Sequence, residues 1–214
     1  MKLSPSPAVR LFAYKMTHDV GFAPNPFRGL LTLATCKPRI RLHKVVGDWI
    51  AGFTSTRLNG DELGHERLVY LMQVTDKRTL AEYHDESAFS AKIPKVDPAR
   101  CVDGTGDNIY GIRDGALFQV KNRYHDESSV ERDTSGQFAL ISNRFAYFGS
   151  QPLIVPDEVR PSVPSGVAGH GVRTADPARA LAFIDYVLSH GTGIHAAPTT
   201  WPRNDDSWRE RSCG

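Results

Sequence analysis

Apolar residues along the chain fall in short runs, which is the pattern of β-strands rather than of long helices. The runs at 9–16, 67–75 and 138–142 are rich in aliphatic and aromatic residues. The run at 67–75, RLVYLMQVT, is almost continuously apolar and therefore predicts a central strand that is covered on both faces. Shorter apolar runs follow at 30–34, after the turn at Gly47–Asp48, at 117–120 and at 145–149.

One segment has the spacing of a long helix. Its apolar positions form a single stripe at Ala180, Phe183, Ile184, Val187 and Leu188. Asp176 can cap this helix, Pro177 suits its first turn and Gly191 ends it, so a helix is predicted over 177–190. A short helix is also expected within 80–89. Because strands dominate, we predict an α+β fold: a strand-rich mixed sheet or a partly open barrel, with few helices and a C-terminal helix.

Three segments rich in polar residues, glycine and proline are expected to be loops. The segment at 18–27 follows the first strand, a position where functional side chains are often displayed. The segment at 97–107 is expected on the surface, and 152–171 is expected to be extended. The length of 214 residues fits one domain. We place this domain at 1–200, followed by a charged tail at 201–214 that is expected to fray.

The charge of the chain is unevenly distributed. In total, 26 basic and 24 acidic residues give a net charge of +2, which favours no class of partner. Residues 1–50, however, contain eight basic and two acidic side chains, a net charge of +6. Such a segment can form a pocket for an anionic ligand, or a basic surface that faces solvent.

Neither a membrane span nor a secretion signal is recognisable in the sequence. No apolar run approaches the roughly 18 residues that a span requires. The first residues, MKLSPSPAVRLF, contain two prolines where a signal peptide needs an apolar stretch. With 40% hydrophobic and 23% charged residues, the composition is that of an ordinary globular protein. We therefore expect a cytoplasmic protein.

The sequence has three cysteines, at Cys36, Cys101 and Cys213. They include no CxxC pair, so neither a disulfide framework nor a structural zinc site is expected. The first of them is followed by the cations Lys37, Arg39 and Arg41. Nearby positive charge favours a thiolate, and a base such as His18 would make Cys36 a nucleophile. The same cations can instead bind a phosphate, and Cys36 can also be a small buried residue among solvated neighbours.

Two other places combine an imidazole with carboxylates. His18 and Asp19 follow the first strand, and Asp19 can either orient the imidazole for proton transfer or form a turn. The second cluster contains His125 with Asp126, Glu127, Glu131 and Asp133. This cluster can hold a divalent cation or be an acidic surface loop, and its spacing matches no defined metal motif.

No motif in the sequence identifies a cofactor. The patterns GxGxxG and GxxxxGK[ST] are absent, which argues against dinucleotide and P-loop sites. The turn at Gly47–Asp48 before a strand of small and apolar residues is similar to the barrel of PUA-like nucleic-acid-binding domains. Six aromatic residues can stack on a base or belong to the core. They are Tyr14, Phe22, Trp49, Tyr110, Tyr147 and Phe148.

Six stretches spread over most of the chain are FAYKMTHDVGFAPNPF, LTLATCKPRIR, VGDWIAGFTS, GDNIY, FALISNRFAYFG and GHGVR. In this order they resemble the nucleotide modification associated domain 2 family, and the C-terminal FIDYV fits as well. The segment at 193–198 departs from the glycine-rich form expected there. The resemblance implies a bacterial or phage protein associated with nucleic-acid base modification and genome conflict.

The resemblance also implies a set of site residues. From the first half of the chain these are His18, Asp19, Asn25, Cys36, Lys37, Arg39 and Asp48. From the second half they are Asp107, Asn108, His125, Asp133 and Ser142. An amide and a carboxylate such as those of Asn108 and Asp107 can read a base edge or a ribose by hydrogen bonds.

Two functions are compatible with these residues. In the first, the protein acts on a nucleotide or nucleic-acid base in a DNA/nucleotide modification or genome-conflict pathway such as phage defence. The cations near 18–41 would bind phosphate, His18 with Asp19 would transfer protons, and Cys36 would be the nucleophile of a covalent step. In the second, the protein is a non-catalytic reader of modified or flipped bases. The expected partner is in both cases a nucleotide or nucleic acid, and not a membrane.

Overall fold

The structure is a computed structural model that describes residues 9–166 and 169–209. The first strands are β1 (Leu11–Lys15), β2 (Leu31–Leu33), β3 (Trp49–Phe53), β4 (Leu68–Gln73), β5 (Asp76–Thr79) and β6 (Tyr110–Arg113). The later strands are β7 (Ala116–Gln119), β8 (Phe138–Ser142), β9 (Arg144–Tyr147), β10 (Val172–Arg173) and β11 (Gly193–Ile194). The α-helices are α1 (Pro38–His43), α2 (Thr56–Asn59), α3 (Leu80–Asp85), α4 (Val130–Thr134) and α5 (Pro177–Ser189). Short 3₁₀ segments lie at Ser87–Lys92, Cys101–Gly104 and Glu127–Ser129.

The described strands form three sheets. The largest has the order β10-β1-β3-β4-β9-β11, in which β1 pairs with β3 and β9 with β11 in parallel, and the other pairs are antiparallel. The second sheet, β2-β8-β5, is antiparallel, and β6 and β7 form a separate hairpin. The α+β class with mixed sheets, few helices and a C-terminal helix is thus confirmed, and these strands close no barrel.

The large sheet is covered on both faces, as the apolar run at 67–75 predicted for its central strand. Helix α5 packs on one face, where the rings of Phe53 and Phe183 lie 6.0 Å apart. On the other face Ile50 and Tyr70 pack with Leu140 of the small sheet. Helix α5 begins and is capped as expected, because the Asp176 side chain accepts the N–H of Ala178. The order of layers is therefore helix, large sheet and small sheet.

Three segments differ from the sequence-based expectations. Helix α1 begins at Pro38 in the segment 35–42, where no regular element was predicted, and ends at His43. The segment 97–107 is not a simple surface loop, because its last residues turn into the core and Asp107 is fully buried. The tail does not fray over 201–209, since the Trp201 ring lies 5.2 Å from that of Phe27 and Asp205 accepts a backbone N–H from Cys101.

Two further expectations concern the ends of the chain and the membrane. Cys213 and the tail residues 210–214 lie outside the described residues, as do residues 1–8. Among the described helices, none has both the length and the apolar character needed to cross a membrane.

Candidate active site

Cys36 lies in a strained connection between β2 and α1. The backbone φ is 54° at Cys36 and 37° at Lys37, a left-handed region that costs a non-glycine residue of order 1–3 kcal/mol. Two residues hold this conformation. The Asp133 carboxylate accepts the Cys36 N–H at 3.0 Å, and Arg41 Nε donates to the Cys36 carbonyl at 2.8 Å. The half-buried thiol is therefore fixed in place by its own backbone.

The Cys36 thiol is the first member of a thiol–imidazole–carboxylate cluster. Its Sγ lies 3.5 Å from His125 Nε2, and His125 Nδ1 lies 2.5 Å from Asp133 Oδ2. The His125 side chain is 11% exposed and that of Asp133 is fully buried. Because Asp133 engages Nδ1, the other ring nitrogen faces the sulfur, an arrangement that can activate a nucleophile and return its proton. We call Cys36, His125 and Asp133 the Cys–His–Asp triad.

The β6–β7 hairpin supports the acid and the imidazole of the triad. Tyr110 on β6 donates its hydroxyl to Asp133 Oδ2 at 3.0 Å, and Gln119 on β7 donates to the Tyr110 hydroxyl oxygen at 3.1 Å. Gln119 Nε2 also donates to the His125 carbonyl at 3.4 Å. Tyr110 and Gln119 are paired across the two strands. The register of the hairpin therefore decides which side chains reach the triad.

Arg41 connects the backbone segments that carry Cys36 and Asp133. Its side chain is fully buried, and it donates to the carbonyls of Cys36, Asp133 and Phe138. Burial lowers the pKa of Arg41 to about 10, against the opposing charge of Asp133. Gly136 leaves the necessary space, because a Cβ there would lie 2.5 Å from Arg41 Cζ. The sequence suggested Arg41 as a phosphate ligand. In the structure its guanidinium instead donates to protein carbonyls.

The protonation of the triad follows from its contacts. Burial lowers the pKa of His125, but hydrogen bonds to Asp133 and Cys36 outweigh this effect and raise it to about 9. Burial raises the pKa of Asp133, but the hydrogen bond and charge of His125 bring it below its ordinary value. At neutral pH the pair is therefore an imidazolium and a carboxylate, and a positive imidazolium stabilises a thiolate in contact with it.

Two cations remain beside the thiol. Lys37 is half-buried, with Nζ 4.6 Å from the centre of the Tyr14 ring and 3.5 Å from the Lys15 carbonyl. Burial lowers the pKa of Lys37, and the charge of Cys36 opposes this. Arg39, on the first turn of α1, is exposed. These two side chains, unlike Arg41, remain at least partly open to solvent.

His18 and Asp19 have separate environments in spite of their adjacency. His18 is exposed, and its Nδ1 lies 3.1 Å from the hydroxyl oxygen of Thr17. Asp19 is buried and accepts hydrogen bonds from the Tyr147 hydroxyl and from the Thr199 N–H. Burial raises the pKa of Asp19, and these hydrogen bonds oppose the rise. The imidazole beside the thiol is thus that of the triad, and Asp19 ties its loop to the C-terminal segment.

Asn25 and Asp107 belong to a second buried cluster, which also contains Lys92 and which we call the Lys92 network. Lys92 Nζ donates to Asn25 Oδ1 at 2.6 Å. Asp107 accepts from the hydroxyls of Thr32 and Tyr83, each at 2.9 Å. Burial raises the pKa of Asp107, and the positive charge of Lys92 counteracts the rise. The network joins the loop at 18–27 to the segment that ends at Asp107.

The other three residues that the resemblance implies are also buried. Asn108 Nδ2 donates to the Tyr83 carbonyl at 2.8 Å. Asp48 pairs with Arg10 at 2.7 Å before β3. Ser142 Oγ donates to a carbonyl at the start of β9 at 2.9 Å. Each is at most 2% exposed, and their contacts position backbone around the sheets rather than near the thiol.

Most of the described cations of residues 1–50 are paired with a carboxylate or buried in the fold. Ion pairs join Arg10 to Asp48, Lys15 to Glu66, and Arg28 to Asp103. Lys44 is buried with its Nζ 3.6 Å from the centre of the Phe12 ring. The net charge of +6 is therefore not a broad open surface. Of the three cations that follow Cys36 in the sequence, two are not buried: Lys37 is half-buried and Arg39 is exposed.

The described structure has a cavity of about 530 Å³ that reaches the triad at His125. It is also lined by Gln119, Lys121 and Asn122 and by residues 126–128. A second cavity, of about 430 Å³, lies at 64–67 and 154–160. The first cavity gives a ligand access to the imidazole, and its polar lining suits a polar substrate.

The aromatic residues that could stack on a base are in the core. All six are at most 5% exposed: Tyr14, Phe22, Trp49, Tyr110, Tyr147 and Phe148. Stacking on a nucleic-acid base needs an accessible ring face. The core interpretation of these residues is thus the one that fits.

Sequence reasoning missed Tyr110 and Gln119 as supports of the triad. A usable signal was present, because Asp114–Gly115 is a two-residue turn of the kind that closes hairpins. Both residues have positive φ, 52° and 77°. Counting outward from this turn pairs Tyr110 with Gln119, as the structure has them. For Lys92 and Gly136 the sequence has no comparable local signal.

Comparison with known proteins gives one family. The family model described as nucleotide modification associated domain 2 matches residues 8–205. No curated protein and no solved structure matches the chain. The matched range contains the whole triad and the β6–β7 hairpin.

Proposed function

Because the chain belongs to the nucleotide modification associated domain 2 family, we propose that it catalyses a covalent step on a nucleotide or nucleic-acid base. The observation that carries the proposal is the triad, with its sulfur 3.5 Å from an imidazole that a buried carboxylate orients. The family supplies the class of substrate and the triad supplies the class of chemistry. The pathway is DNA or nucleotide modification, or genome conflict.

Cys36 is the nucleophile of the proposed step. A lone pair of its thiolate forms a carbon–sulfur bond to an electrophilic carbon of the base, and the displaced π pair moves to a ring heteroatom. That heteroatom takes the proton from His125 Nε2. When the adduct collapses, His125 takes the proton back and the bonding pair returns to sulfur. Asp133 keeps its charge throughout and stabilises the imidazolium.

Lys37 and Arg39 hold the phosphate of the substrate in this proposal. Lys37 provides a point charge beside the thiol, and Arg39 provides a planar fork on the exposed side of α1. Arg41 has a positioning role, since its contacts fix the backbone of Cys36 and Asp133. The expected anion pocket near 18–41 is thereby reduced to two cations.

The test is covalent trapping. The purified chain is incubated with nucleotides and with single-stranded oligonucleotides, quenched in acid, and measured by intact-protein mass spectrometry. We expect an added mass equal to one substrate in the wild type and in Cys101→Ser, a half-buried thiol outside the triad. Cys36→Ser removes the adduct, and His125→Gln slows its formation by about 10²-fold or more.

The reader of modified bases gives a different result in the same experiment. A reader binds nucleic acid with an affinity that falls steeply as the salt concentration rises, and it forms no adduct. The Cys36→Ser variant of a reader binds as well as the wild type. That outcome would replace the catalytic proposal with the binding one. The buried positions of the candidate stacking rings favour the catalytic outcome.

A further inference from the structure

The thiol and the imidazole of the triad have the spacing of two neighbouring ligands of a tetrahedral metal ion. A zinc ion has bonds of about 2.3 Å to a thiolate and about 2.0–2.1 Å to an imidazole nitrogen, so a tetrahedral angle places the two ligand atoms about 3.6 Å apart. Cys36 Sγ and His125 Nε2 are 3.5 Å apart. The separation of the two ligand atoms therefore matches that in a tetrahedral zinc site.

The surroundings of His125 are also those of a metal-binding imidazole. Such an imidazole usually donates its second N–H to a carboxylate, which fixes the ring and strengthens the ligand. Asp133 Oδ2 lies 2.5 Å from His125 Nδ1, and the Tyr110 hydroxyl and the Cys36 N–H hold the same carboxylate. The three triad side chains also lie close enough to share one ion. The carboxylate that would orient His125 as a metal ligand is thus already held in place by hydrogen bonds.

The types of the two ligand atoms favour zinc over a hard cation. Thiolate and imidazole are ligands of soft and borderline metals, so zinc is preferred over magnesium or calcium. Metal binding to such ligands releases protons, so we expect the affinity to depend on pH. Arg132 is an opposing cation at the site, with its Nε 3.4 Å from Asp133 Oδ1.

We propose that Cys36 and His125 bind one zinc ion, with Asp133 as the outer carboxylate, and that the ion blocks the thiol. The cavity at His125 gives the ion its path and leaves its remaining coordination positions to water. Binding of the ion is independent of the proposed function, whereas competition between the ion and a nucleotide for Cys36 rests on it. The site is therefore a reversible control on the nucleophile.

Cobalt is the spectroscopic probe for this site. The full chain is purified under reducing conditions, stripped with a chelator and titrated with Co²⁺. We expect a thiolate-to-cobalt charge-transfer band that saturates at one ion per chain in the wild type and in Cys101→Ser, and that Zn²⁺ displaces. Cys36→Ser abolishes the band. Asp133→Asn weakens affinity about 10–100-fold, and His125→Gln, a less buried change, weakens it even if Asp133→Asn fails to fold.

Alkylation of the thiol tests the block itself. Zn²⁺ is expected to slow the reaction of Cys36 with iodoacetamide at least 10-fold, and EDTA restores the rate. A wild-type chain without the band, or a band that persists in Cys36→Ser, overturns the metal site. Zinc that binds without slowing alkylation overturns the block. Nucleotide adducts are measured without metal, so the two proposals can fail separately. A cobalt band without a nucleotide adduct supports the metal site and overturns the proposed function. A nucleotide adduct without a cobalt band supports the proposed function and overturns the metal site.

Discussion

The triad and the Lys92 network are built alike and differ in what they leave accessible. Each uses a buried aspartate to join the early part of the chain to residues far along it. In the Lys92 network, Asn25, Lys92 and Asp107 are at most 2% exposed, and their hydrogen bonds end on protein atoms. In the triad, the thiol and the imidazole are only partly covered, and a cavity reaches the ring.

The difference shows how a buried carboxylate serves stability in one place and chemistry in another. Asp107 faces a cation and neutral donors inside the protein, so it only holds segments of the chain together. Asp133 faces an imidazole whose second nitrogen is directed at a half-buried thiol. Resemblance to the family marks both aspartates. The reactive cluster differs from the structural one because its hydrogen bonds lead to a partly accessible thiol rather than to buried protein atoms.

The largest expected effect is on stability, in the Lys92 network. Lys92→Met leaves the Asn25 oxygen without its donor and the buried Asp107 without its compensating charge. Breaking a buried charge network in this way lowers the free energy of unfolding by about 3–5 kcal/mol. Chemical denaturation measures the change. Iodoacetamide reactivity of Cys36 in the folded fraction is expected to stay at the wild-type rate.

Two variants sharpen this contrast. Lys95→Met removes an exposed lysine three residues away, and its effect on unfolding is expected within about 0.5 kcal/mol. Cys36→Ser shows the opposite pattern to Lys92→Met, with loss of the reactive thiol and a change in stability below about 1 kcal/mol. If Lys92→Met leaves stability intact but slows the thiol, the separation of the two clusters fails.

Local patterns made the fold predictable to a large extent. The apolar run at 67–75 and the single stripe at 177–190 identified the central strand and α5, because burial of a continuous face needs no knowledge of distant residues. Helix α1 was missed because its segment is dominated by cations. Its stability depends on Ile40 and on an Arg41 whose donors meet distant carbonyls.

The triad was not predictable from local spacing. Cys36 and His125 are 89 positions apart in the chain, and no periodic pattern relates them. Sequence reasoning placed each member in a chemical cluster but assigned the proton transfer to His18, the nearer histidine in sequence. The three-dimensional pairing depends on the approach of the β2–α1 turn to α4. The identity of the residues was thus readable, and their partnership was not.

A smaller expected effect concerns pH and the triad alone. The pKa of His125 in the folded protein is about 9, above the value of about 6.5 for an unperturbed imidazole. Its contribution to stability is therefore complete below about pH 6.5 and is lost as pH rises through 9. A pKa difference of about 2.5 corresponds to at most about 3.4 kcal/mol. Solvent screening of the partly exposed imidazole reduces the expected linked loss to about 2–3 kcal/mol. Denaturation of the wild type between pH 6 and 10 measures it.

The matched variants decide whether the slope comes from the triad. His125→Gln is expected to lose this part of the pH dependence, and Cys101→Ser is expected to keep it. Equal slopes in the wild type and in His125→Gln would show that the imidazolium–carboxylate pair contributes nothing to stability.

The smallest expected effect tests the link between the backbone of the triad and its reactivity. In Gly136→Ala the new Cβ would lie 2.5–2.7 Å from three atoms of the Arg41 guanidinium. The guanidinium cannot withdraw without losing its carbonyls, so we expect a loss of about 1–3 kcal/mol in stability together with slower alkylation of Cys36. Gly166→Ala, which adds a Cβ in open space, is the control. Slower alkylation in Gly136→Ala at conditions where the chain remains folded identifies Arg41 as a positioning residue. An unchanged rate with reduced stability would assign Arg41 to the same purely structural class as Lys92.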